Sequence, residues 1–156
     1  MSANLHDRDF YAWTHQQAEL IRQGRLTELD TEHLLEELDD MGASQYRELE
    51  NRLGVLLAHL LKWRYQPERR GNSWRLTIKD QRRRIGRLLQ RNPGLTPRLQ
   101  QAFVTAYEDA VLLAAKETEK DESAFPPDPP FTCEQALGAN YWPDDYSGDD
   151  EQEARS

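Results

Sequence analysis

Guanidinium and ammonium groups interleaved with aromatic rings are the ingredients of nucleic-acid binding, because the cations hold phosphates and exposed rings stack on bases. One stretch supplies both: Lys62, Trp63, Arg64 and Tyr65, then Arg69, Arg70, Trp74 and Arg75, continuing with Lys79, Arg83 and Arg87. These cations form a candidate surface for phosphate or for an acidic partner. Against a stacking role, Trp63 and Trp74 both fall on the apolar sides of their helices, where they would pin the helices around the intervening loop.

Arg52 and His59 are seven residues apart, nearly in line on one helical face. The pair is similar to the Arg and His element of the all-helical HEPN ribonucleases, in which His would move a proton and Arg would stabilise charge on phosphate. The likeness is partial, since Leu53 stands where a polar residue usually follows and Arg8 to His15 repeats the spacing. The structural alternative for His59 is a core-edge imidazole bonded to a carboxylate of the preceding helix. A third grouping, Asp30, His33, Glu36 and Glu37, would set an imidazole beside carboxylates at helical spacing. No Glu-x-x-His pair of the di-iron kind occurs, so Asp30 reads as a helix cap and Glu36 and Glu37 as its solvated flank. Gly-rich phosphate loops, Ser/His/Asp sets and metalloprotease words are absent too. No catalytic set, metal or cofactor is expected.

The charge is polarised. Residues 28–50 hold nine acids against Arg47, and residues 62–98 hold twelve Lys and Arg against Glu68 and Asp80. Glu32, Glu36, Asp39 and Asp40 form a candidate acidic partner face. Because Glu32, Glu36 and Asp39 lie opposite Leu34, Leu38 and Met41, and the helix-four cations lie opposite their own apolar face, both charged faces point outward. A protein partner or another copy of the chain could bridge them.

Apolar periodicity supplies the elements that carry these groups. A first helix is expected from about Asp9 to Gln23, with Phe10, Trp13, Leu20 and Ile21 inward and Gly24 at its end. Asp30 caps a second helix with Leu34, Leu38 and Met41 inward, which Gly42 breaks or bends. Ser44 then caps the central helix, whose Tyr46, Leu49, Leu53, Leu56, Leu60 and Trp63 alternate at spacings of three and four until Pro67 stops it. Ser73 caps a fourth helix through Gln90, with Trp74, Ile78, Ile85, Leu88 and Leu89 inward. Thr96-Pro97 opens a fifth, lined by small residues such as Ala102, Ala106 and Ala110 and fading near Glu119. Phe125, Phe131, Tyr141 and Trp142 dock a proline-rich arm, in which Thr132 and Gln135 form a capping box. The expected organisation is a bundle over 1–122, a docked arm over 123–143, and a disordered tail over 144–156 that holds six acids and one Arg.

The 156 residues, of which 37 % are hydrophobic and 31 % charged, suffice for one core, and a mean hydropathy of -0.92 points to densely charged outer faces. The longest uncharged apolar run, Leu53 to Leu61, is far short of the roughly 20 residues that span a bilayer, so no membrane partner is expected. The first residues lack the basic and apolar pattern of a secretory signal, and the lone Cys133 suits a reducing compartment. A cytoplasmic location is the expectation.

The segments DFYAWTHQQAELIR, EELDDMG, LLAHLLKWRYQPERR, SWRLTIKDQRRRI and FPPDPPFTCEQAL occur in order. On them the chain resembles the bacterial domain-of-unknown-function family twenty-nine over roughly residues 7–143. The resemblance implies a compact all-helical protein and no activity or site residue to carry over. The combined reading is an all-α bundle of about five main helices that acts as a protein-interaction or regulatory module, self-association included. Nucleic-acid binding through residues 62–91 and a helical ribonuclease using Arg52 and His59 are the alternatives.

Overall fold

The computed structural model describes residues 2–143, so the stretch expected to be a disordered acidic tail lies outside the described residues. Six α-helices occur among them: α1 (Ser2–Arg8), α2 (Phe10–Arg22), α3 (Thr31–Tyr65), α4 (Asn72–Arg91), α5 (Leu99–Thr118) and α6 (Cys133–Leu137). Short 3-10 turns join most of them, and no strand is present among the described residues. The all-α class is as expected.

Local chemistry accounts for most ends. Asp9 caps α2 by accepting from the Ala12 amide at 3.0 Å. Gly24, with φ of 70°, ends it in a left-handed turn in which Gly24 N–H reaches Ile21 O and Arg25 N–H reaches Leu20 O. Asp30 accepts from the His33 amide at the start of α3. Thr132 and Gln135 close a capping box on α6.

Four expectations need correction. Residues 31–65 form one helix of 35 residues, without a break at Gly42 or a new start at Ser44. A mid-helix glycine costs only about 1 kcal/mol relative to alanine and leaves the backbone hydrogen bonds intact, so without proline nothing forces a stop. The fourth helix begins at Asn72 with Gly71 as N-cap, not at Ser73. Thr96-Pro97 lies inside a 3-10 segment, Pro93–Arg98, and α5 starts after it; with two prolines lacking N–H groups, this segment has fewer donors for an α-helical ladder. Finally, α1 adds a helix ahead of Asp9.

The chain forms two compact units, Met1–Gln45 and another beginning at Tyr46. The second holds a continuous core. Leu49, Leu53, Leu56, Leu57, Leu60 and Leu61 of α3 are fully buried, as the three-and-four alternation predicts. Around them lie Ile78 and Ile85 of α4, Ala102, Phe103, Ala106 and Ala110 of α5, and Phe125 and Phe131 of the arm. Each fully buried leucine contributes about 1.5–3 kcal/mol. A Cβ on Gly54 would lie 3.9 Å from Ala106 O, so small residues let α3 and α5 approach closely.

Two polar clamps hold the arm. Tyr107 Oη donates to Pro126 O at 2.6 Å, and burial pushes that phenol up to about 12. Arg82, 8 % exposed, donates through Nε to Ala136 O at 2.8 Å and through Nη2 to Tyr141 O at 2.7 Å, with Trp142 beneath its guanidinium.

The first unit is different: its fully buried side chains are Trp13 and Gln17. Leu38 and Met41, expected inward, are 62 % and 64 % exposed, and Phe10 and Ile21 are also exposed. The pairing of α2 with the start of α3 leaves much of the apolar stripe uncovered.

Candidate functional site

The cations expected to act together are dispersed by the fold. Lys62 is buried, ion-paired with Glu117 and set 5.0 Å over the Trp74 ring, which removes it from any phosphate-binding surface. A lysine in that position has exchanged water for a carboxylate and a ring face, which compensates its desolvation. Arg70 donates to Trp63 O at 2.6 Å and stacks on the Trp63 ring. Trp63 in turn packs against Trp142 and the core, so Trp63 serves the interior. Arg64 lies over Tyr65, and Arg75 donates to Asn72 Oδ1.

Exposed cations do persist on α4. Lys79, Arg83, Arg87 and Arg91 recur every fourth residue, about 6 Å apart along the axis, while Arg69 is exposed in the preceding turn. Arg83 shares Asp80 with Arg84, and these two guanidiniums hold the Asp80 carboxyl below the usual carboxylate range. Lys79, Arg87 and Arg91 have no ion pair among the described residues.

Arg52 and His59 are each engaged elsewhere. Arg52 donates to Glu48 at 3.0 Å and to Gln81 at 3.4 Å. His59 Nδ1 donates to Val55 O at 2.8 Å, not to a carboxylate, and its Nε2 faces the Lys62 ammonium at 3.5 Å. Burial, and then the nearby ammonium, push this imidazole below its ordinary value. Its free lone pair is directed at a cation already bound to Glu117.

The first unit concentrates the chemistry that spacing alone could not assemble. Asp30 Oδ2 accepts from Trp13 Nε1 at 3.0 Å and from His33 Nδ1 at 2.7 Å. Burial raises this carboxyl, but the His33 and Trp13 hydrogen bonds outweigh it, and the net shift is downward. Gln17 Oε1 accepts the Asp30 amide at 2.8 Å, which explains why a glutamine is buried there. His6 of α1, absent from the sequence-derived candidates, stacks on His33 with ring centres 4.1 Å apart. Its Nε2 meets Glu37 at 2.7 Å and its Nδ1 meets Asp7 at 3.0 Å; these carboxylates, Asp7 first, raise its affinity for a proton.

Beside this cluster an open groove of about 480 Å³ runs between α2 and α3, lined by Phe10, Trp13, Ile21, Leu34, Leu38 and Met41 among others. Glu32, Glu36, Asp39 and Asp40 are exposed on the far side of α3, and none has an ion pair among the described residues.

A family model described as Domain of unknown function DUF29 matches residues 5–142. The chain belongs to the DUF29 family. The match begins within α1 and ends in the docked arm, so it takes in both the groove and the buried Arg82 clamp. No curated protein matches the chain, and no solved structure does. No helix among the described residues is long and apolar enough to cross a membrane.

Proposed function

We propose that this DUF29 chain is a non-enzymatic protein-interaction module whose N-terminal helical pair docks an apolar partner surface, with a second copy of the chain as the favoured partner. The observation that carries the reading is the uncovered apolar groove on a unit that, among the described residues, buries only Trp13 and Gln17 as complete side chains. Among the described residues, seven of the ten large hydrophobic residues that stand exposed belong to this unit. Such a concentration marks interaction surfaces, because a monomeric surface gains nothing by presenting it to water. Charge supports the choice of partner. Residues 1–45 carry ten acids against three arginines, whereas the outer face of α4 is basic, so unlike faces of two copies attract.

Light scattering tests this on the full chain. A mass above one chain at low salt is expected, falling as salt screens the unlike faces within a Debye length of about 10 Å. Leu38→Ser with Met41→Ser should abolish association while leaving the melting temperature unchanged, since both side chains are already exposed. A single-chain mass at every concentration and salt would defeat the homotypic form.

The exposed Lys79, Arg83, Arg87 and Arg91 favour a second reading, phosphate contact with a nucleic-acid strand. Anisotropy of labelled RNA and DNA measures it. Steeply salt-dependent binding that is lost on Arg83→Glu with Arg87→Glu would support this reading, and unaltered affinity in that variant would end it.

A further inference from the structure

The His6 environment poses a chemical problem. Both of its ring nitrogens lie within hydrogen-bond distance of carboxylates, Nε2 at 2.7 Å from Glu37 and Nδ1 at 3.0 Å from Asp7. A neutral imidazole has one N–H, so one of these contacts would set a nitrogen lone pair against a carboxylate oxygen. The arrangement is stable only with a positive charge between ring and carboxylate, which a proton or a metal ion supplies. His33 is prepared in a complementary way. Its Nδ1 donates to Asp30 at 2.7 Å, so that in the neutral ring the lone pair sits on Nε2. One candidate ligand atom from each of His6, Asp7 and His33 lies within 4.8 Å of the others.

We propose that His6, Asp7 and His33 form a site for one divalent transition ion of the zinc class, with Glu37 and Asp30 orienting the two imidazoles. Two neutral imidazoles and a carboxylate suit such ions, whereas calcium and magnesium take oxygen ligands almost exclusively. Glu37 and Asp30 occupy the positions that outer carboxylates take around metal-bound histidines, accepting the second ring N–H. The His6 to Asp7 separation of 3.0 Å already approximates one edge of a tetrahedral site, about 3.3 Å for bonds near 2 Å. The two rings are nearly parallel, 11° apart with centres 4.1 Å apart, so their in-plane lone pairs lie in separate parallel planes. Convergence on one ion therefore requires one ring to tilt out of the stack, and the fourth position is left to water. The ion would tie α1 to the start of α3, beside Trp13 and the apolar groove. The site stands independently of the interaction reading, because its ligands are not the exposed groove residues Leu38 and Met41.

The experiment uses the full, tag-free chain with zinc chloride and cobalt(II) chloride as probes. Calorimetry should give one zinc per chain, and cobalt should give the intense visible bands of a low-coordinate nitrogen and oxygen site. In the unmutated protein, NMR should show the His6 and His33 ring signals moving on zinc addition while those of His15 and His59 stay in place. His6→Gln and His33→Gln should each weaken zinc by more than 10-fold, Glu37→Gln by about 10-fold through loss of ring orientation, and His15→Gln should change nothing. No saturable zinc binding, or binding that persists in a folded His6→Gln/His33→Gln double variant, would overturn the proposal. A zinc shift at His15 or His59 in place of His6 and His33 would overturn it equally.

Discussion

Replacing Arg82 with methionine removes its donors but keeps an unbranched apolar stem. In the native chain the guanidinium makes two charge-assisted bonds, to Ala136 O and Tyr141 O, each worth about 1.5–3 kcal/mol. Opposing them is the cost of burying the cation, which brings Arg82 from 12.5 to about 10; that corresponds to about 3 kcal/mol. The bonds and the burial cost nearly offset one another. The larger consequence is that two carbonyls of the arm lose their donor, a loss of about 1–3 kcal/mol each where water cannot replace it. Arg82→Met should therefore destabilise the fold by about 2–4 kcal/mol. Urea denaturation followed by circular dichroism measures the change. Limited proteolysis should show cleavage between residues 123 and 143 well before cleavage of α3–α5. A midpoint equal to that of the unmutated chain, with an equally resistant arm, would refute Arg82 as the anchor.

Other perturbations test separate links. Gly42→Ala should stabilise by about 0.5–1 kcal/mol in thermal melts, because an added Cβ meets nothing within 4 Å and the helix is continuous there; destabilisation would mean that the chain bends at Gly42. Gly138→Ala should lower the melting temperature, since its Cβ would meet Glu134 O at 3.3 Å and Gln135 O at 3.4 Å. For His59, burial puts the folded pKa below the unfolded value of about 6.5, so the unfolded chain takes up the proton first and stability falls as pH drops through that range. The slope is at most about 1.4 kcal/mol per pH unit; it should be missing from His59→Gln and so appear in the difference between the native chain and that variant. Lys62→Met should move the NMR-detected titration of His59 upward, because the ammonium beside it is one cause of the depression.

The parts legible in the sequence were those in which one helix reports on itself. The leucines from Leu49 to Leu61 repeat so regularly that their burial follows from periodicity, and the Thr132 capping box is a four-residue rule. Gly42 carries only a weak helix penalty, which does not amount to a break, and α3 runs through it. Arg82 does carry a local signal: it falls between Ile78 and Ile85 at spacings of four and three, on the buried stripe of α4. The His33 to Asp30 contact is readable at a separation of three, but His6 lies 27 positions before His33, on a helix with too few apolar positions to announce itself. Likewise, exposure of Leu38 and Met41 depends on what packs above them, which no pattern within α3 encodes.

The central claim is that the N-terminal groove is where a second copy docks. A photo-crosslinking residue placed at Leu38 in a mixture of isotopically light and heavy full chains, digested and read by mass spectrometry, tests it directly. Crosslinks from position 38 that join light with heavy chains are the predicted result. Crosslinks confined within single chains, or none at concentrations where the chain is fully folded, would contradict it.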